Sequence, residues 1–290
     1  MKVASGLLLT LLLFYFVSFA VSAQAATSSF SGSVFIRSDG NIDPSAAPVQ
    51  RSGETYLFLG SFVGNVTIQK DNVVIDGAGY EIESTGIGTE TTIGVDVSFR
   101  TNVTITNMQV LGFVQGIHLL NSSNCNLVGN NITENVDGIR IDNSISNLIV
   151  GNNITSNRHG THPFQDNKFY HNNFIDSTDR HVYFDSPNHI DIWDNGYPSG
   201  GNYWDNYIGV DEKKGANQNE AGSDGIGDAP HIIELDNKDS YPLEVPYIYA
   251  PQSTTQTDLL WTYVMIVVIV IAVAAVVGVV FLRKRMKKQI

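Results

Sequence analysis

The chain holds one cysteine, Cys125, among its 290 residues. No intrachain disulfide can form, so stability has to come from packing, with bound metal ions as the other available source. Basic residues are scarce as well: 17 Lys and Arg stand against 29 Asp and Glu, a formal net charge of −12. All 29 acidic residues fall between residues 26 and 258, with only 11 Lys and Arg, so that stretch carries −18. Such a surface repels nucleic acid and anionic lipid and favours cations, and no nucleic-acid partner is expected. The same stretch has no sustained apolar repeat of helical period and lacks the leucine spacing of a leucine-rich repeat.

Long apolar runs are confined to the two ends. Residues 1–25 have Lys2, an apolar run and the small-residue pattern Ala23-Gln24-Ala25, the layout of a cleaved signal peptide. The run from Leu259 to Leu282 carries no charge apart from its terminal neighbours. As a helix it would span roughly 36 Å, enough to cross a bilayer. Arg283, Lys284, Arg285, Lys287 and Lys288 follow, which predicts a cytoplasmic C-terminus and an extracellular bulk. Trp261 and Tyr263 stand at the other end of the run, where an aromatic belt would lie.

What is present in quantity is repetition. At an offset of 22, Gly94, Gly116, Gly138 and Gly160 fall in one column, followed by "GVDV", "GIHL", "GIRI" and a degenerate "GTHP". Apolar residues alternate after each glycine, as in Ile117 and Leu119 or Ile139 and Ile141, the mark of short strands with one buried face. Three such strands with Gly/Asn corners fill one turn of a parallel β-solenoid, whose turns stack at ~4.8 Å and bury matching side chains in files. No turn can bury its own apolar face, so repetition makes the core. Asn130 and Asn131 recur as Asn152 and Asn153, and stacked amides at corners can form hydrogen-bonded ladders. "DNVVIDGAGYEI" (Asp71–Ile82) matches at an offset of 30, implying an insertion at 83–93, and "NKFYHNNFI" (Asn167–Ile175) matches at 20.

These segments, with "GYPSGGNYWDNY" and "GSDGIGDAP", resemble the right-handed parallel β-helix proteins grouped with NosD, of the pectin-lyase-like type. The likeness extends to cell-surface members common in archaea and covers about residues 31–245. It implies an all-β, right-handed parallel β-helix. NosD is linked to copper-site maturation and some relatives to carbohydrate binding or sugar hydrolysis, so the resemblance leaves the biochemistry open. It carries over no copper ligands.

The outward position after each column glycine holds Asp96, His118, Arg140 and His162, with Tyr183 on the next coil. This stripe reads either as a binding face for an extended glycan or as an ordinary solvated face. A glycosidase would need two carboxyls ~5 Å or ~6.5–9.5 Å apart, and only Asp96 in the stripe is acidic. A lyase with Arg140 as base and a bound cation, near Asp137 and Asp142, is the enzymatic alternative. For copper, only His159, His162 and His181 could converge, because His118 and His162 stand two coils apart with Arg140 between them. For calcium, "NQNEAGSDGIGD" (Asn217–Asp228) offers Glu220, Asp224 and Asp228 among glycines, although Asn217 and Ala221 break the EF-hand pattern. Trp193, Tyr203 and Trp204 read as an aromatic cap or as sugar-stacking rings. Sequons occur at Asn65, Asn102, Asn121, Asn131 and Asn153, and Cys125 takes an inward position as an inert thiol.

The expected organisation is a signal peptide (1–25), N-terminal cap and first coil (26–70), β-helix (71–190) and acidic aromatic cap (191–247). A stalk (248–258), transmembrane helix (259–282) and basic tail (283–290) follow. The expected role is structural, adhesive or glycan-binding at the cell envelope, with envelope glycans or surface-layer proteins as partners. A polysaccharide lyase or hydrolase and a NosD-like copper protein are the alternatives.

Overall fold

The computed structural model describes residues 30–84, 86, 92–186, 188–234 and 236–250. The signal peptide, the transmembrane and tail segments and the stalk beyond Ala250 lie outside the described residues, among which there is no α-helix.

Three parallel sheets form the walls of a right-handed-type solenoid of six coils. In each coil the chain runs through wall 1, wall 2 and wall 3 in turn. The first coil uses Thr55–Phe58, Phe62–Val63 and Val66–Ile68, and the last complete one uses Lys168–Tyr170, Asn173–Ile175 and Arg180–Val182. Successive coils pair in register at the offsets the sequence implies. Val73 faces Val103 at an offset of 30, Leu127 faces Ile149 at 22, and Leu148 faces Lys168 at 20.

Registration produces three vertical files. Wall 1 stacks Tyr56, Ile75, Ile105, Leu127, Ile149 and Phe169. Wall 2 stacks Phe62, Ile82, Val110, Ile132, Ile154, Phe174 and Trp204. Wall 3 stacks Val34, Val66, Val95, Ile117, Ile139, Thr161 and Val182. All are buried, and each large aliphatic contributes roughly 1.5–3 kcal/mol by leaving water. Cys125 is buried too, and burial raises its thiol pKa.

The glycine column has a steric cause. A Cβ on Gly94, Gly116, Gly138 or Gly160 would lie 2.5–2.6 Å from the carbonyl oxygen of the coil above, closer than non-bonded atoms tolerate. The corners are closed by side-chain ladders. Between walls 1 and 2, Oδ1 of Asn152 accepts from the backbone N–H and Nδ2 of Asn130, and Asn172 and Asn202 repeat the pattern. Between walls 3 and 1, Asn147 and Asn167 do the same. Each buried backbone N–H at these corners therefore finds its acceptor one coil up.

At the C-terminal end Trp193 stacks on Phe169 with centroids 4.4 Å apart, and Trp204 stacks on Phe174 at 4.3 Å. Both tryptophans are buried, whereas Tyr203 is half-buried. Two hairpins, Lys213–Lys214 with Glu220–Ala221 and His231–Glu234 with Asn237–Asp239, complete this end. The chain then returns along the solenoid. Tyr247 exchanges backbone hydrogen bonds with the Asn173 amide and stacks on His171 at 4.1 Å. The Tyr249 ring lies where a Cβ on Gly129 or Gly151 would be, both residues at positive φ.

Candidate functional site

The outward positions of the three walls differ in chemistry. Thr104, Asn126 and Leu148 on wall 1, and Gln109, Asn131 and Asn153 on wall 2, are neutral, with a single charge at one end of each row, Lys168 and Glu81. On wall 3 the same kind of position holds Asp96, His118, Arg140 and His162 in direct register. Tyr183 follows one coil on, its N–H donating to Thr161 O at 2.9 Å.

These side chains do not all join. Asp96 turns back on its own strand end and accepts from Ser98 N and Ser98 Oγ. The others gather around two carboxylates that flank Arg140. Oδ2 of Asp142 accepts from Nε of Arg140 at 2.8 Å and lies 3.0 Å from Nε2 of His118. Asp137 reaches Nη1 of Arg140 at 3.2 Å and Nδ1 of His159 at 2.7 Å. His162 Nδ1 lies 3.1 Å from the Arg140 guanidinium. Its Nε2 sits 2.8 Å from Asp185, near enough for an ion pair but out of hydrogen-bonding alignment. His159 Nε2 meets Asp179 at 3.3 Å. The half-buried Tyr183 ring packs between the two imidazoles, 4.8 Å from His159 and 4.9 Å from His162.

The electrostatics follow from this crowding. Burial pushes Asp137 up, but the neighbouring His162 at 3.8 Å, the hydrogen bond to His159 and the Arg140 contact bring it down to about 2. Asp142 shows the same contest, and His118 with Arg140 lowers it to about 2. Burial works against the Arg140 charge, yet Asp142 and Asp137 outweigh it and hold the guanidinium above its usual pKa. Clamped by two carboxylates, Arg140 is held in its charged form, which counts against the lyase reading.

The copper reading finds no site at the three histidines named for it. His159, His162 and His181 do not converge. Arg180 pairs with His159 and Val182 with Thr161, which sets His181 beside Gly160, and its ring turns toward Phe174 and Trp204 instead of the Arg140 cluster. There its ring meets Ser177 and Asp205. The ring nitrogens of His159 face carboxylates, and a guanidinium abuts His162. These three side chains do not fit a copper ion.

The calcium reading fares no better. Asp228 accepts from the N–H groups of Glu212 and Lys213, and Asp224 accepts from those of Gly215 and Ile226. Glu220 sits opposite Lys214 in a two-stranded ladder. The carboxylates tie a hairpin together through backbone donors and share no common focus. Among the described residues no group of three or more His, Cys, Asp or Glu is placed to hold a metal ion. Of the sequon asparagines, Asn102, Asn121 and Asn153 are exposed, and Asn65 and Asn131 are half-buried.

Sequence reasoning missed Asp179 and Asp185, which complete the cluster from a coil whose repeat has degenerated. Their only signal was the register of Tyr183. Asp137 and Asp142, by contrast, bracket the "DGIRID" strand in plain view.

The fold and the site define a parallel β-helix protein with a cluster of ionisable side chains on one wall. A profile of the periplasmic copper-binding protein (NosD) family matches residues 52–209. That is more than half of the chain, which belongs to the NosD family. Among curated proteins none matches. A crystal structure of a double mutant of the periplasmic alginate epimerase AlgG is similar at 18% identity with a TM-score of 0.29, covering 44% of this chain. The chain spans 40% of that protein's length.

Proposed function

We propose that the protein is an exported, membrane-anchored β-helix that binds an extended, hydroxyl-rich glycan along wall 3. One observation carries the reading. Of the three walls, only wall 3 places ionisable side chains at the same outward position on four successive coils, Asp96, His118, Arg140 and His162. Sequestering Asp137, Asp142 and Arg140 together has a desolvation cost that packing alone would not select. The result is a fixed array of donors and acceptors repeated at coil spacing, beside a partly open Tyr183 ring that suits a sugar face. The −18 of the exported stretch disfavours polyanions, which points to a neutral or amino-sugar polymer. A family described as periplasmic, with the signal and anchor segments, supports display outside the cytoplasmic membrane.

Titrating the detergent-solubilised full chain against neutral and amino-sugar oligosaccharides tests this. Arg140→Met and Tyr183→Ala should each weaken retention at least tenfold, while Lys168→Ala on wall 1 should leave it unchanged. Equal retention by all three variants, or retention of surface-layer protein in place of any oligosaccharide, would sink the reading.

A further inference from the structure

His181 is drawn away from wall 3 by two partners. Its Nδ1 lies 2.9 Å from Ser177 Oγ, and its Nε2 lies 2.6 Å from Asp205 Oδ1. The second oxygen of Asp205 is held at 2.5 Å by the backbone N–H of Asp176, so the carboxylate is aimed at the imidazole and is not free to swing. A carboxylate on Nε2 fixes the proton there and leaves Nδ1 as the acceptor for the Ser177 hydroxyl. Serine, imidazole and carboxylate thus stand in the order that activates an oxygen nucleophile, a constellation recognised by geometry and roles, whatever the fold.

The three groups line a cleft of about 310 Å³ between the last coil and the His231 hairpin. Val182, Trp204, Ile232 and Ile233 give it an apolar side, and Arg180 and Asn206 give it donors. His231 stacks on Trp204 at 4.8 Å. Burial, with the nearby His181 second, lowers its pKa to about 4. The residues are local to the fold's end. Ser177 and His181 come from the turn and strand that close the sixth coil, and Asp205 follows the wall 2 strand of the incomplete seventh.

We propose that Ser177, His181 and Asp205 form a nucleophilic site that hydrolyses small carboxylic esters, with Ser177 as the nucleophile. Ser177 Oγ attacks the ester carbonyl carbon and passes its proton to His181 Nδ1. The carbonyl electron pair moves to oxygen, where the Asn206 amide and the Arg180 guanidinium are the donors at hand. Collapse breaks the bond to the alcohol oxygen, which takes the proton from His181 and leaves as the alcohol. Water then attacks the acyl-serine, gives its proton to His181 and releases the carboxylic acid, and the proton returns to Ser177. The apolar side of the cleft holds the acyl chain. This assignment does not depend on the glycan reading of wall 3, which concerns other residues and another ligand.

The test is covalent labelling of the full chain with an alkyl fluorophosphonate, followed by peptide mass spectrometry. One adduct per chain on Ser177 is expected, with labelling slowed at least 100-fold in His181→Gln and at least tenfold in Asp205→Asn. Turnover of p-nitrophenyl acetate should fall at least 100-fold in Ser177→Ala. Wild-type protein left unmodified at Ser177 overturns the proposal without reference to any variant. So does full turnover by Ser177→Ala that retains the wild-type tryptophan fluorescence.

Discussion

The middle coils and the C-terminal end of this solenoid solve the same problem with different chemistry. From residue 93 to 175 each wall strand is covered by another copy of itself. An Asn at a corner meets an Asn, an isoleucine meets an isoleucine, and each corner N–H is satisfied one coil up. The last complete coil has only a partial successor. Its aliphatic files end in Phe169 with Trp193 and Phe174 with Trp204, flat rings that cover an open stack. Two of the asparagine ladders end in carboxyls. Asn167 N donates to Asp191 at 2.8 Å, and Asn202 N donates to Asp239 at 2.6 Å. A repeat stabilises its corners with neutral groups, and where it stops carboxyls take their place and a cleft is left open.

That contrast can be broken at its centre first. Asn152 satisfies Asn130 through its oxygen and Leu127 O and Asn172 through its amide. Asn152→Leu strands several buried groups at once, and urea denaturation should show a loss of about 4 kcal/mol, at 1–3 kcal/mol for each unmet group. Gly138→Ala comes next. A new Cβ would sit 2.5 Å from Gly160 O, and overpacking of this kind should cost about 3 kcal/mol in the same measurement.

The third experiment sharpens the other side. One oxygen of Asp191 is buried without a partner, and burial, against the Asn167 contacts, raises this carboxyl from 3.8 to about 7. A raised folded-state value means that the stabilisation is complete below about pH 4 and disappears as pH rises through 7. Between pH 5.5 and 7 the end should lose about 2 kcal/mol, read as faster amide exchange in 167–193. Asp191→Asn should abolish that dependence, because an amide there continues the Asn147–Asn167 ladder. An unchanged pH slope in this variant would show that the end is not built differently from the middle.

Much of the fold was legible in the sequence because repetition is a local property. Offsets of 22, 30 and 20 mapped directly onto the observed pairing, and the stripe from His118 through Arg140 to His162 followed from them. The site was legible only where the repeat survives. Its acids at 179 and 185 come from a degenerate coil, and Asp205 reaches His181 from a segment with no shared period. The metal readings failed for a related reason. Spacing along the chain counted donors, but Ser177 and Asp205 hold His181 apart from His159 and His162, and backbone N–H groups took up acids of the 217–228 loop.

By itself the sequence determined that one coil must lie on the next, since alternating aliphatics, column glycines and corner asparagines cannot be satisfied within a single turn. Tertiary structure alone decided which charges meet. Side chains from four coils and a terminal hairpin come within hydrogen-bonding distance only after the stack has closed, and no linear pattern records how a stack ends.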